Sequence, residues 1–245
     1  MRVRLRFSKL GKVRFTSHRD VARMWERALR RVELPVVWSE GFSPRPRLHF
    51  GLALSTGHES LAEYLDLDLA PDDEADGGTV DVDGLPARLT PALPVGITVT
   101  GAAPVAPGSA SLQAVVTSCS WRIEVVGDRT GPAAESAARS AVDRLLAAEE
   151  IITTRSRKGQ EVTDDIRPYM LDISVAGRTT AGIELACELG TSPRGLRPAE
   201  LVAALGGGRR EGQVCRTHQW MQHDGARQEP LPVATSAPHV EARAS

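Results

Sequence analysis

Cysteine is scarce in this chain and never spaced for joint work. Cys119, Cys187 and Cys215 are far apart and odd in number, and no CxxC or CxxxCxxC run occurs. That excludes a cysteine-held zinc site, an iron–sulfur cluster bound by this chain alone and a disulfide framework. Isolated thiols of this kind serve as small buried apolar side chains. His218 and His223 lie near Cys215, but their spacing fits no ordinary metal motif. Aromatic residues make up only 4% of the chain, so Leu, Val, Ile and Ala must build the cores. No stretch approaches the roughly 20 apolar residues of a membrane helix. The N-terminus alternates Arg with apolar residues and lacks the apolar block of a secretory leader. The reading is of a cytoplasmic protein with no membrane contact. There is no Gly-rich phosphate loop, nucleophile elbow or two-histidine metal helix. No catalytic set, metal or cofactor is therefore expected.

What the chain has is segregated charge. The first fifty residues carry 13 Lys or Arg against 4 Asp or Glu. The next sixty carry 10 acidic residues against a single Arg, Arg88. The whole chain sums to only −1. A balanced total that hides a basic segment implies a local electrostatic site, most simply one for phosphates.

The pattern predicts the order of elements. Arg2 to Phe7 alternates charge with Val3, Leu5 and Phe7, as a strand does. Val13 to Phe15 continues extended after a turn at Gly11. Ser17 caps a helix, with Asp20 three residues on. Val21, Met24, Trp25, Ala28, Leu29 and Val32 recur at helical spacing and face a sheet. Val36 to Trp38, Leu48 to Leu54 and Glu63 to Leu69 are strand candidates, and Asp72 to Gly78 is a solvated acidic turn. A short helix within 80–93 and a strand over Gly96 to Thr100 complete a βαββαβ order, that of a ferredoxin-like α+β sandwich. Beyond an Ala-, Pro-, Gly- and Ser-rich connector, the same order recurs. It runs through strands at Ser118 to Val126, Ile151 to Arg155, Tyr169 to Val175, Thr180 to Leu189 and Val214 to Trp220. Its helices lie over Pro132 to Glu150 and from Arg197 to Leu205. The expected architecture is two tandem ferredoxin-like domains with antiparallel sheets. They cover 1–103 and 112–221, with a linker at 104–111 and a disordered tail at 222–245.

Several spaced segments resemble one family. They are Arg6-Phe7-Ser8-Lys9 through His18-Arg19-Asp20, the helix ending Arg27-Ala28-Leu29-Arg30-Arg31, then Leu34-Pro35 and Ser39 to Pro46. Gly57-His58-Glu59-Ser60, Glu63-Tyr64-Leu65-Asp66 and Asp165-Ile166-Arg167-Pro168 belong with them. Together they are similar to the radical-SAM-linked family of uncharacterised proteins over about residues 1–220. Members occur alone or fused behind a radical-SAM, cobalamin-binding-type enzyme. The resemblance implies a stand-alone accessory form, because the cluster-binding cysteines of the enzyme half are missing. It implies a radical-SAM enzyme or RNA-processing machinery as partner. The first domain is also similar in outline to the ferredoxin-like domains of CRISPR repeat-processing endoribonucleases, an analogy of fold only.

The residues themselves point to a phosphate-bearing ligand, RNA before others and tRNA or rRNA among RNAs. Lys9, Lys12 and Arg14 flank a Gly turn. His18 and Arg19 start a helix, whose free N–H groups favour an anion, and Arg23 follows one turn on. Arg45 and Arg47 leave a Pro-stiffened loop and suit bidentate phosphate contacts, and Phe42 in that loop can stack on a base. The opposing reading makes the helix arginines a solvated face balanced by Asp66 and Asp68. His18 with Asp20 is the weak candidate for acid–base work, as in an RNA nuclease. A second surface is expected from Arg157, Lys158, Asp165, Arg167 and Arg216, with Asp165 and Arg167 as an ion pair. Glu59, Glu63, Asp66 and Asp68 read as a solvated strand face or as partners of the basic patch, in preference to a cation site. The main rival to RNA binding is a protein adaptor that docks on the radical-SAM enzyme.

Overall fold

A computed structural model describes residues 1–70, 80–127, 131–157 and 159–231. The acidic turn expected at Asp72 to Gly78 and the residue Lys158 lie outside them.

The protein is a mixed α+β fold built on one large, mainly antiparallel sheet. In the first half, β1 (Arg2–Lys9) leads through a 3-10 turn at Gly11–Phe15 into α1 (His18–Arg31). Then follow β2 (Leu48–Phe50), β3 (Glu59–Asp68), α2 (Leu85–Leu89) and β4 (Ile97–Pro104). In the second half come α3 (Leu112–Val115), β5 (Val116–Val126) and α4 (Gly131–Ala147). The hairpin β6 (Ile152–Arg157) and β7 (Gln160–Asp165) stands apart as its own small sheet. The chain continues through β8 (Met170–Arg178), β9 (Ile183–Gly190), α5 (Pro198–Ala204), β10 (Arg210–His223) and β11 (Ala226–Gln228).

The main sheet runs β4-β1-β3-β10-β5-β9-β8, with β2 added on β3 and β11 on β10. Within each half the pairings are antiparallel. The halves meet where β10 runs parallel to β3, at Cys215 opposite Glu59 and Arg216 opposite Ser60. Each half has its own apolar cluster. Val3, Leu5 and Phe7 of β1 meet Leu65 and Leu67 of β3 beneath Trp25 and Leu29 of α1. Ile123, Leu185 and Val214 meet Ala138 and Val142 of α4 and Leu201 of α5. The alternation read in β1 therefore does what it predicts: every second residue packs under α1.

Several expectations are corrected. Val13 to Phe15 is a 3-10 turn and not extended chain, since Gly11 at φ 68° turns the backbone. Val36 and Trp38 form isolated bridges to Leu69 and Pro46 and not a strand. Pro104, assigned to a linker, closes β4 opposite Val3. The tail expected to be disordered from 222 is ordered to 231. Asp224 and Gly225, both at positive φ, turn β10 back into β11. An Asp-Gly pair between short extended segments is a strong hairpin signal, and it was legible in the sequence. Residues 232–245 lie outside those described. Among the described residues, no helix is long and apolar enough to cross a membrane.

Candidate nucleic-acid interface

The basic residues of the first fifty divide into two populations. One is consumed inside the molecule. On the outer side of β1, Arg4 donates from Nε and Nη2 to Asp66 of β3 at 2.7 and 2.9 Å. Arg2 reaches Asp68 at 2.7 Å. Arg6 meets the Tyr64 hydroxyl at 3.3 Å and Glu229 at 3.4 Å, under the segment that follows β11. The antiparallel register sets Arg2, Arg4 and Arg6 opposite Asp68, Asp66 and Tyr64. The β3 carboxylates are thus neither a solvated face nor a cation site, and they do not balance α1.

Two candidate phosphate ligands belong to this first population. Lys9 is only 4% exposed, and its Nζ donates to the carbonyls of Arg14 and Thr16 at 3.3 and 3.1 Å. Burial lowers its pKa. It ties down the turn ahead of α1 and does not face a ligand. Arg14 pairs with Glu59 at 3.2 Å and lies over the exposed Phe15 ring at 4.7 Å. Glu59 also accepts from the Gly11 N–H at 2.7 Å, so this carboxylate organises the same turn.

The other population is on α1 and its flanks. Ser17 caps the helix, accepting from the Asp20 N–H at 3.2 Å while its hydroxyl donates to the Asp20 carboxylate at 2.7 Å. Val21, Trp25, Ala28 and Leu29 are buried against the sheet. That leaves Arg19, Arg23, Arg27 and Arg31 exposed at every fourth position, on one slowly winding stripe. Arg23 touches Asp20 at 3.6 Å on the open surface. Arg19, Arg27 and Arg31 have no carboxylate within ion-pair distance among the described residues, and neither do Lys12, Arg45 and Arg47. Arg30 stacks over Trp38 at 4.9 Å, and Trp38 bridges to Pro46, which ties the loop carrying Arg45 and Arg47 to the last turn of α1. Phe42, in the same loop, is fully exposed.

These positions do not converge on a pocket. Lys12, His18 and Arg19 stand at the start of α1, and Arg45 and Arg47 flank Pro46, which is tied through Trp38 to its last turn. A helix of 14 residues is about 20 Å long. The arrangement is a basic ridge. His18 is exposed, packs edge-on against Phe50 at a centroid distance of 4.9 Å, and has no hydrogen-bond partner among the described residues. Asp20 is occupied by Ser17 and Arg23, so the pair forms no acid–base couple.

The described side chains of the second expected surface are engaged within the fold. Arg216 is buried, 1% exposed, and paired with Glu63. Asp165 accepts from the N–H groups of Ile151 and Arg167 at 2.8 and 2.9 Å. Arg167 sends its side chain to the carbonyls of Leu146, Ala148 and Met170. It satisfies the end of α4 and makes no ion pair with Asp165. Lys158 and the side chain of Arg157 lie outside the described residues. Arg155 and Arg194 share Asp164 and Glu200, which fastens the β6–β7 hairpin to the start of α5.

Residues 2–198 match the family described as "Uncharacterized protein conserved in bacteria (DUF2344)". The chain belongs to this DUF2344 family. No curated protein matches it. The DUF2344 chain is similar to a solved structure of a Cbf5-Nop10-Gar1 complex, at 11% identity and TM-score 0.47, over 89% of this chain and 48% of that one. It is also similar to an H/ACA RNP bound to a substrate RNA containing 2'-deoxyuridine, at 12% identity and TM-score 0.48, over 87% of this chain and 47% of that one. The DUF2344 chain thus spans about half the length of either. Likenesses at this level bear on neither fold nor ligand.

Proposed function

We propose that this protein binds RNA along the basic ridge of α1, with Lys12 and Arg19 at one end, Arg23, Arg27 and Arg31 along it and Arg45 and Arg47 at the other. The observation that carries the reading is an exposed arginine stripe in which Arg19, Arg27 and Arg31 have no carboxylate partner among the described residues, on a helix whose other side is packed. Like charges four residues apart cost a helix about 0.2–0.5 kcal/mol per pair. Three such successive pairs oppose the fold by about 1 kcal/mol, and a polyanion that relieves them gains that amount and its own counterion release. Arginine in particular suits phosphate oxygens, through its planar fork of donors.

Finer features belong to the same proposal. In each half the strands lie in the spatial order fourth, first, third, second, which supports reading them as two ferredoxin-like units, 1–103 and 112–221, with β6–β7 inserted in the second. The motif resemblance supports a radical-SAM enzyme or RNA-processing machinery as the partner, and the segregated charge supports tRNA or rRNA as the RNA, in the cytoplasm. The role is positioning and not catalysis.

The test is fluorescence anisotropy with short single-stranded RNA at about 50 and 200 mM salt. Wild type binds with an affinity that falls steeply with salt. Changing Arg19, Arg27 and Arg31 together to Gln lowers the slope of log affinity against log salt by about 2, at roughly 0.7 per phosphate contact on a single strand. Binding indifferent to both salt and the triple change overturns the reading.

A further inference from the structure

A cavity of about 450 Å³ opens at the junction of the two halves. Leu52 and Leu54 of the first half and Leu189 and Leu196 of the second supply its apolar walls, and Trp121 completes them. No Asp or Glu is among its lining residues, but two arginines are: Arg216 deep in the fold and Arg197 at the exposed end.

The polar groups here are donors short of acceptors. Arg216 gives Nε and Nη2 to Glu63 at 3.2 and 2.5 Å, and Nη2 also to the Leu52 carbonyl at 2.9 Å. Its Nη1 meets no oxygen among the described residues; the guanidinium lies beside the thiol of Cys119, a weak acceptor that also lines the cavity, and 5.5 Å from the Trp121 ring centroid. Trp121 is only 8% exposed, and its buried indole N–H has no acceptor among the described residues. A buried donor left unmade is costly, so the Trp121 N–H, beside a guanidinium with one NH2 group that meets no oxygen, calls for an acceptor from outside.

We propose that this cavity binds a small carboxylate with an apolar body. The body fills the leucine-walled space, and the carboxylate accepts from Arg216 Nη1 and the Trp121 indole. Arg197 screens the anion at the mouth. The volume lies within the range of small-molecule pockets, and a seam between two packed units is a common place for one. Burial pushes the Cys119 thiol up to about 11, so it stays protonated and forms part of the wall. The site therefore binds and does no thiolate chemistry. It is independent of the α1 ridge.

The probe is octanoate, with octanol as its uncharged counterpart, titrated into the full chain by calorimetry. Octanoate binds saturably, and octanol binds about tenfold to a hundredfold more weakly, the worth of charge-assisted hydrogen bonds. Arg197→Gln, a change at the exposed mouth, weakens octanoate up to about fivefold. Leu54→Trp fills the space and removes binding while thermal melting shows the fold intact. Equal affinity for acid and alcohol, no saturable octanoate binding by the folded protein, or octanoate binding untouched by both variants overturns the proposal. RNA binding measured on Leu54→Trp stays at the wild-type level, which keeps this outcome separate from that of the ridge.

Discussion

The pair formed by Glu63 of β3 and Arg216 of β10 ties the two halves together at their narrow parallel junction, and its removal has a calculable asymmetry. The side chains are 12% and 1% exposed, so each charge left alone is left in a poor solvent. Breaking a buried pair by deleting one partner costs about 3–5 kcal/mol. Arg216→Met falls at the lower end, about 3 kcal/mol, because Lys9 remains close enough to oppose Glu63. Glu63→Met falls at the upper end, about 5 kcal/mol, because Arg216 and Lys9 are then two buried cations without a carboxylate. For a chain of this size each kcal/mol lowers the melting temperature by about 2–4 °C. Arg216→Met then melts about 6–12 °C below wild type and Glu63→Met about 10–20 °C below it. The double change to Met at both positions removes both charges and melts closer to wild type than Glu63→Met alone, since apolar replacements of a buried pair are often nearly neutral. Scanning calorimetry of the four proteins measures the cycle. If Arg216→Met is as harmful as Glu63→Met, or if the two losses simply add in the double variant, the reasoning about Lys9 and the buried pair is wrong.

Three further outcomes follow from single residues. Ser17→Ala removes the cap of α1 and costs about 1 kcal/mol, read as a melting temperature about 2–4 °C lower, with the salt slope of RNA binding unchanged. Gly96→Ala destabilises by about 1–3 kcal/mol in urea titration, because φ is 97° there and a Cβ would run into the Leu10 carbonyl. Arg2, and then His49, hold the Asp68 carboxyl below its ordinary pKa. The folded value is the depressed one, so this contribution is present above the unfolded value of about 3.9 and is lost as pH falls through the folded value. The stability difference between wild type and Asp68→Asn, followed by urea titration, is therefore flat from neutral pH to about pH 5 and shrinks below about pH 4.

What the sequence discloses is local, and what it hides depends on register. The apolar alternation of β1 and the spacing of Val21, Trp25 and Ala28 show which sides face the core, because strand and helix periods differ. Nothing local shows that Arg4 stands opposite Asp66, since that depends on how β1 and β3 align over 62 residues of separation. Arg216 reads as a surface cation because Arg is seldom buried and Thr217 and His218 follow it on β10. Its burial comes from β3 and the Leu52 carbonyl, brought in by the junction of the halves. Lys9 misleads in the same way: a lysine beside a Gly turn suggests an anion site, yet its ammonium satisfies the carbonyls of that turn. The ridge itself was legible as residues but not as a shape. Arg19 and Arg23 could be placed on α1, while the separation of Arg45 and Arg47 from them follows from the Arg30–Trp38 contact, which no spacing rule gives.

The charge imbalance of the first fifty residues now has a physical partition. Of the 13 Lys and Arg, Arg2, Arg4, Arg6, Arg14 and Arg23 meet carboxylates, and Lys9 meets carbonyls. The acidic β3 supplies Asp68, Asp66 and Glu59 to the first, second and fourth of those arginines and spends Glu63 on Arg216. Once the sheet is zipped, the described carboxylates of β3 are used up, and none is left over for α1. Folding therefore sharpens the segregation already visible in the sequence: it neutralises the inner cations and leaves the outer ones bare. A helix that keeps Arg19, Arg27 and Arg31 without carboxylate partners bears a cost in the free protein, and the RNA proposed to lie along that helix would return it.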